Sequence, residues 1–199
     1  MLADKVSWYR AYYRTISHAG PWLLLLTILL ADSGYAFDAN TLANPIRELR
    51  VGVAAHDVNG LWSGDSKEKG PDLCAEIIIG WRLFHFLGAT AYPNAGISIN
   101  TQGDTSKIYG GFLVQWEWRD SFTFSTGLGL TVHDGETDTD SVDKKSLGAQ
   151  VLFRIPIEVG YAIFPNHQIT IAFDHISNAY LATPNEGLDT VGVFYGYRF

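Results

Sequence analysis

From Ile46 onward the chain alternates apolar and polar residues with a period of two, and no window keeps a helical period. Along 145–163 one face reads Leu147, Ala149, Val151, Phe153, Ile155, Ile157, Val159, Tyr161 and Ile163, while the other carries Gln150, Arg154, Glu158 and Gly160. Residues 121–133 set Phe122, Phe124, Leu128, Leu130 and Val132 against Ser121, Thr123, Ser125, Gly127, Gly129 and His133. Residues 72–83 set Leu73, Ala75, Ile77, Ile79 and Trp81 against Asp72, Glu76, Gly80 and Arg82. Successive strand residues point to opposite faces, so each segment reads as a strand with one apolar side. Eight such strands are predicted, near 46–56, 72–83, 89–100, 106–118, 121–133, 145–163, 167–178 and 188–199, the third interrupted by Pro93. An even number of alternating strands predicts an all-β fold, an eight-stranded antiparallel β-barrel.

Alternation does not say which face is inside. A soluble carrier turns the apolar face inward and a transmembrane barrel turns it outward. The polar face holds both signs of charge, Glu48, Arg50, Glu76, Arg82, Glu117, Arg154 and Glu158, as a narrow lumen filled with ion pairs would. Aromatic residues collect near segment ends, at Trp62, Trp81, Trp116, Trp118, Tyr161, Tyr195 and Tyr197, where a membrane interface favours them. The last strand alternates Val191, Val193, Tyr195 and Tyr197 and ends on Phe199, resembling the C-terminal signal read by the bacterial outer-membrane barrel assembly machinery. These features favour a transmembrane barrel over a lipocalin-like carrier.

Ahead of the strands, Lys5, Arg10 and Arg14 precede the apolar run PWLLLLTILLA and the small residues Gly34 and Ala36. That order predicts a signal peptide over 1–36, cleaved after Ala36, and a barrel over 37–199. The apolar run is too short to span a bilayer as a helix, which needs about 20 residues. The formal charge of −7 gives no basic footprint for nucleic acid. The single cysteine, Cys74, excludes an internal disulfide and a cysteine-based zinc cluster. The acidic stretch 133–143 lacks the ligand spacing of a calcium loop and reads as a solvated loop. With the mature N-terminus in the periplasm, the longer connections face outside and RDS and FPNH are periplasmic turns. His56 and His133 fall on the polar face near the outer rim and are expected in the lumen network, while Tyr180 and Leu181 are loop candidates for lipid contact.

The seventh predicted strand carries an anomaly. His175 and Ser177 stand two residues apart, on the same face as Ile169, Ile171 and Phe173, and so face lipid near the outer leaflet. The eighth strand, antiparallel to it, begins its outward face with Asp189, within reach of His175. Serine, histidine and a carboxylate on one face are the ingredients of an activated nucleophile, although polar residues are also tolerated in the headgroup zone.

HISNA at 175–179, PNEGLD at 184–189 and the terminal YGYRF carry a resemblance to the outer-membrane lipid A 3-O-deacylase family (PagL type). Similarity continues upstream through NTQGDTSKIYGGFLVQWEW and GLGLTVHDGE, so it spans roughly 74–199. The resemblance implies a serine esterase on the outer surface of an eight-stranded barrel in the bacterial outer membrane. Its substrate would be lipid A in lipopolysaccharide, cleaved at the acyl chain ester-linked at position 3. It implies Ser177 as nucleophile, His175 as general base and Asp189 as the acid. Asn178 and Asn185 match the family's asparagines and are candidates for shaping the oxyanion site or the loop. Where the family pattern has glutamate this chain has Asp189, and Glu186 is the fallback acid. No cofactor or metal is expected; the partners are lipid A and outer-membrane lipid, with homodimerisation left open. A non-enzymatic barrel of structural or adhesive role is the competing reading.

Overall fold

A computed structural model describes residues 45–119 and 121–199; the signal peptide expected over 1–36 lies outside the described residues. Eight long strands form: β1 (Ile46–Ala55), β2 (Pro71–Ile79), β4 (Ala89–Asn100), β5 (Lys107–Trp118), β6 (Phe122–His133), β7 (Val151–Phe164), β8 (His167–Ser177) and β9 (Leu188–Arg198). A two-residue strand, β3 (His85–Phe86), folds back on the start of β4. Each long strand pairs antiparallel with its sequence neighbour, β9 pairs with β1, and β2 pairs with β4, so the sheet closes on itself. Closure leaves no long strand with an unpaired edge.

The apolar face is outside. Leu49, Val51, Val53, Leu73, Ile108, Leu130, Val159, Ile171 and Val193 are all exposed, whereas Glu48, Arg50, Glu76, Arg154 and Glu158 are buried in the lumen. An eight-stranded barrel has an interior just wide enough for side chains, and this one is filled by ion pairs. The Arg50 guanidinium meets Glu48 at 2.7 Å, Glu158 at 2.8 Å and Glu76 at 3.2 Å. Arg154 meets Asp174 at 2.6 Å and lies over the Tyr109 ring, and Lys107 meets the other oxygen of Asp174 at 2.7 Å. Buried charge is tolerable here because each group has partners. Such a surface, apolar outside and ionic within, is that of a transmembrane barrel.

The two ends differ. Connections at one end span 56–70, 101–106, 134–150 and 178–187, while the opposite end has the short link between β5 and β6, a turn at 165–166 and the β3 excursion. Trp118, Phe122, Tyr161, Phe164, Tyr195, Tyr197 and Phe199 are exposed near the short-turn end.

Two expectations change. The sixth long strand, β7, begins at Val151, not at 145, because Gly148 takes a left-handed conformation (φ 78°) that ends the alternation. Leu147 and Ala149 are therefore not on the outer face: Leu147 turns inward and packs with Leu152, Ile176 and Leu188, with Ala149 against them. This small core lies among apolar residues adjacent in sequence to His175, Ser177 and Asp189. The second strand also stops sooner, at Ile79.

Candidate active site

Strand register assembles the site. His175 and Asp189 are direct partners across β8 and β9, and Ser177 follows His175 on the same face, opposite Phe153 of β7. The imidazole Nδ1 lies 2.6 Å from Asp189 Oδ1, and Nε2 lies 3.1 Å from Ser177 Oγ. With the Nδ1 proton donated to the carboxylate, Nε2 is left as an acceptor facing the serine hydroxyl. That tautomer gives hydroxyl, base and orienting acid in one line, the arrangement that activates a serine for acyl transfer.

The surroundings differ from a site open to lipid. His175 and Asp189 are buried, although both sit on the outward face of their strands. The cover is the connection 56–70. Its Trp62 indole stacks on the His175 ring, centroids 4.5 Å apart and planes 12° from parallel, and reaches Phe173 at 6.5 Å. The Ser63 N–H donates to Asp189 Oδ2 at 2.6 Å, and the Val58 N–H donates to the Asp189 carbonyl at 2.9 Å. A carboxylate and an imidazole bare against hydrocarbon would be costly, and the loop removes that exposure. Ser177 stays half-exposed, bordered by apolar Phe153 and Ile155 of β7.

The same loop is tied down at its base. His56 Nε2 meets Glu68 at 3.0 Å, and its Nδ1 meets Asp72 at 2.9 Å. Burial by itself would pull the His56 pKa down, but the two carboxylates overcome that and push it up to about 9. Burial alone would raise Glu68, yet His56 and the N–H groups of Lys145 and Thr105 bring it down to about 2. Asp57 Oδ2 accepts from the N–H groups of Lys67 and Glu68 at 2.6 and 3.0 Å, and its Oδ1 pairs with Lys145 at 3.3 Å.

Glu186 stands apart from the imidazole. It pairs with Lys67 at 2.5 Å and accepts from the Ser146 N–H at 2.6 Å, so it joins three loops. Both asparagines serve the 178–187 loop. The Asn178 N–H donates to Asn185 Oδ1 at 3.0 Å, and its side-chain amide donates to the carbonyls of Leu147 and Pro184 at 3.1 and 2.7 Å. With these donors committed, Asn178 shapes the loop around Ser177. His133 Nε2 lies 2.8 Å from the Ala149 carbonyl, and Tyr180 and Leu181 are exposed at the tip of the 178–187 loop. Among the described residues no group of three or more His, Cys, Asp or Glu side chains is arranged to hold a metal ion.

Trp62 and Ser63 are the site residues that sequence reasoning missed. By sequence Trp62 reads as one of the interface aromatics, and Ser63 contacts the acid through its backbone, which carries no side-chain signature. Gly187 was also passed over: at φ 65°, its missing side chain leaves room beside His175 Cε1, 3.2 Å from where a Cβ would stand.

A family model described as Lipid A 3-O-deacylase (PagL) matches residues 75–198, a stretch that takes in His175, Ser177 and Asp189. The chain is 31% identical over 87 residues to the Lipid A deacylase PagL of Bordetella bronchiseptica (strain ATCC BAA-588 / NCTC 13252 / RB50). That alignment covers 44% of this chain and 47% of the relative, so it spans about half of the relative's length. In three dimensions the chain is similar to the crystal structure of the outer membrane enzyme PagL, with a TM-score of 0.55 and 19% identity, over 76% of this chain and 99% of that one. The structural likeness supports the barrel fold, and the sequence match extends across most of the barrel. The chain belongs to the lipid A 3-O-deacylase (PagL) family.

Proposed function

We propose that this protein is an outer-membrane serine esterase that removes the acyl chain ester-linked at position 3 of lipid A, with its site at the outer leaflet. The observation that carries this reading is the continuous Ser177–His175–Asp189 relay on the outward face of a barrel of this family. A multiply acylated sugar lipid leaves its leaflet only at great cost. An esterase acting from the barrel wall meets the ester where it lies, with Phe153, Ile155 and Val191 as neighbouring apolar surface for the chain.

In this mechanism Ser177 Oγ attacks the ester carbonyl carbon as His175 Nε2 takes the hydroxyl proton, and Asp189 stabilises the imidazolium. The tetrahedral intermediate collapses as His175 returns the proton to the sugar 3-oxygen, breaking the ester C–O bond and leaving an acyl-serine. A water from the loop end, deprotonated by His175, adds to the acyl carbon. Collapse of that second intermediate breaks the acyl C–Oγ bond as His175 returns the proton to Ser177 Oγ, releasing the fatty acid and restoring the free serine. Asn178 and Asn185 hold the adjoining loop, and residues 1–36 act as the export signal.

Mass spectrometry of lipid A from cells with and without the protein tests this. Loss of one hydroxyacyl mass is expected, dependent on Ser177. An unchanged spectrum from cells carrying folded protein would overturn the assignment in favour of a non-enzymatic barrel.

A further inference from the structure

We propose that the 56–70 connection is a positioning strap for the catalytic relay, with Trp62 and Ser63 holding His175 and Asp189 in register; this rests on the esterase reading above. Both residues lie outside the stretch matched by the family model, which begins at Ala75. Three contacts converge from this one segment: the indole on the imidazole, the Ser63 N–H on Asp189 Oδ2 and the Val58 N–H on the Asp189 carbonyl.

The need for a strap follows from the short acid. An aspartate keeps its carboxylate close to the β9 backbone, and only one oxygen can face Nδ1. The second oxygen is buried and needs a donor, which the strap provides. The imidazole has an analogous weakness. On an outward strand position the ring stands on the barrel wall with one face toward the loop, and rotation about its last side-chain bond would break both hydrogen bonds together. Trp62 closes that face while its own outer surface stays open, at 58% exposure. The strap is stiff because its base is clamped by Asp57, by Lys145 and by the His56 pair with Asp72 and Glu68. Trp62 is thus a positioning residue, acting through His175.

The test uses the purified full barrel in detergent with lipid A, folding being checked by heat-modifiable gel mobility. Trp62→Leu should lower kcat by about 10–100-fold with KM little changed, and Trp62→Phe should recover most of it. Asp57→Ala, which frees the strap at its base and touches neither His175 nor Ser177, should slow turnover similarly. Combining Asp57→Ala with Trp62→Leu should add little, because both release one device. Reaction of Ser177 with a fluorophosphonate should slow in parallel. This measurement needs the relay and not lipid A, so it reads the strap even where the natural substrate is a different ester. A Trp62→Leu barrel with wild-type kcat and phosphonylation rate would overturn the proposal. So would a loss confined to KM, or fully multiplicative effects of the two changes.

Discussion

Asp189 and His175 face each other as direct partners across the β8–β9 ladder, with Oδ1 and Nδ1 2.6 Å apart, while Glu186, three residues earlier, is turned away to Lys67. Sequence spacing alone left both carboxylates available. Asp189→Asn should therefore cripple turnover by about 10⁴-fold, because an amide in place of the carboxylate favours the wrong imidazole tautomer. Glu186→Gln should retain most of the activity. Rates of fatty-acid release from lipid A decide between them, and the reverse ranking would show that the wrong carboxylate had been assigned.

Ser177→Ala removes one oxygen from a half-exposed position and should leave the barrel folded. Turnover should fall by about 10⁴-fold or more, His175→Ala should do about the same, and the double variant should be little worse than either, since the members of a relay act as one unit. Heat-modifiable mobility reports the fold and lipid A mass reports the chemistry. A folded Ser177→Ala protein with wild-type turnover would remove serine catalysis from the account.

The strap should respond to alkali. His56 is raised from 6.5 to about 9 by Asp72 and Glu68, which overcome its burial, so its contribution is complete below about pH 6.5 and is lost as pH climbs through 9. Glu68 is lowered from 4.5 to about 2, so its contribution is complete above about pH 4.5 and is lost as pH falls through 2. Activity is therefore expected to drop reversibly above pH 9 while the barrel stays folded. Comparing pH profiles of the wild type and His56→Gln checks this: the variant should start lower and lack that alkaline step.

Gly148→Ala should disturb the site from outside it. Gly148 has φ 78°, and a Cβ there would run into the Pro184 carbonyl and the Asn178 amide. The 178–187 loop would have to move, and with it the backbone next to Ser177. Turnover is expected to fall by about 10-fold or more with the barrel intact, the size of effect that small displacements of catalytic groups produce.

Arg154→Met should be felt in stability instead. It leaves Asp174 buried with Lys107 as its remaining ion-pair partner, and loss of one member of a buried ionic set costs about 3 kcal/mol. Urea unfolding in lipid vesicles measures it, and a change below about 1 kcal/mol would show that the lumen network is redundant at this point.

Strand positions were readable because a barrel with one apolar face writes a period of two into the chain. Phe122 to Val132 and Val151 to Ile163 carry that pattern through almost their whole length. It misled at Leu147 and Ala149, where alternation continues past Gly148 although no ladder does. His175, Ser177 and Asp189 were readable because polar side chains interrupt the apolar face at hairpin spacing. Trp62 and Ser63 were not, since they reach the relay across 113 and 126 residues of sequence, by a ring face and a backbone N–H. Contacts of that kind depend on the path of a loop, and side-chain patterning does not encode that path.

The filled lumen has an evolutionary consequence. Arg50, Arg154, Glu76, Glu158 and Asp174 knit the barrel from within, whereas Phe153, Ile155 and Val191 project the other way. Selection can therefore retune the apolar exterior beside Ser177 by exchanging one apolar residue for another of different bulk, without touching the groups that hold the strands together. Scaffold and working surface occupy opposite sides of a single sheet, one residue thick, and can diverge at separate rates.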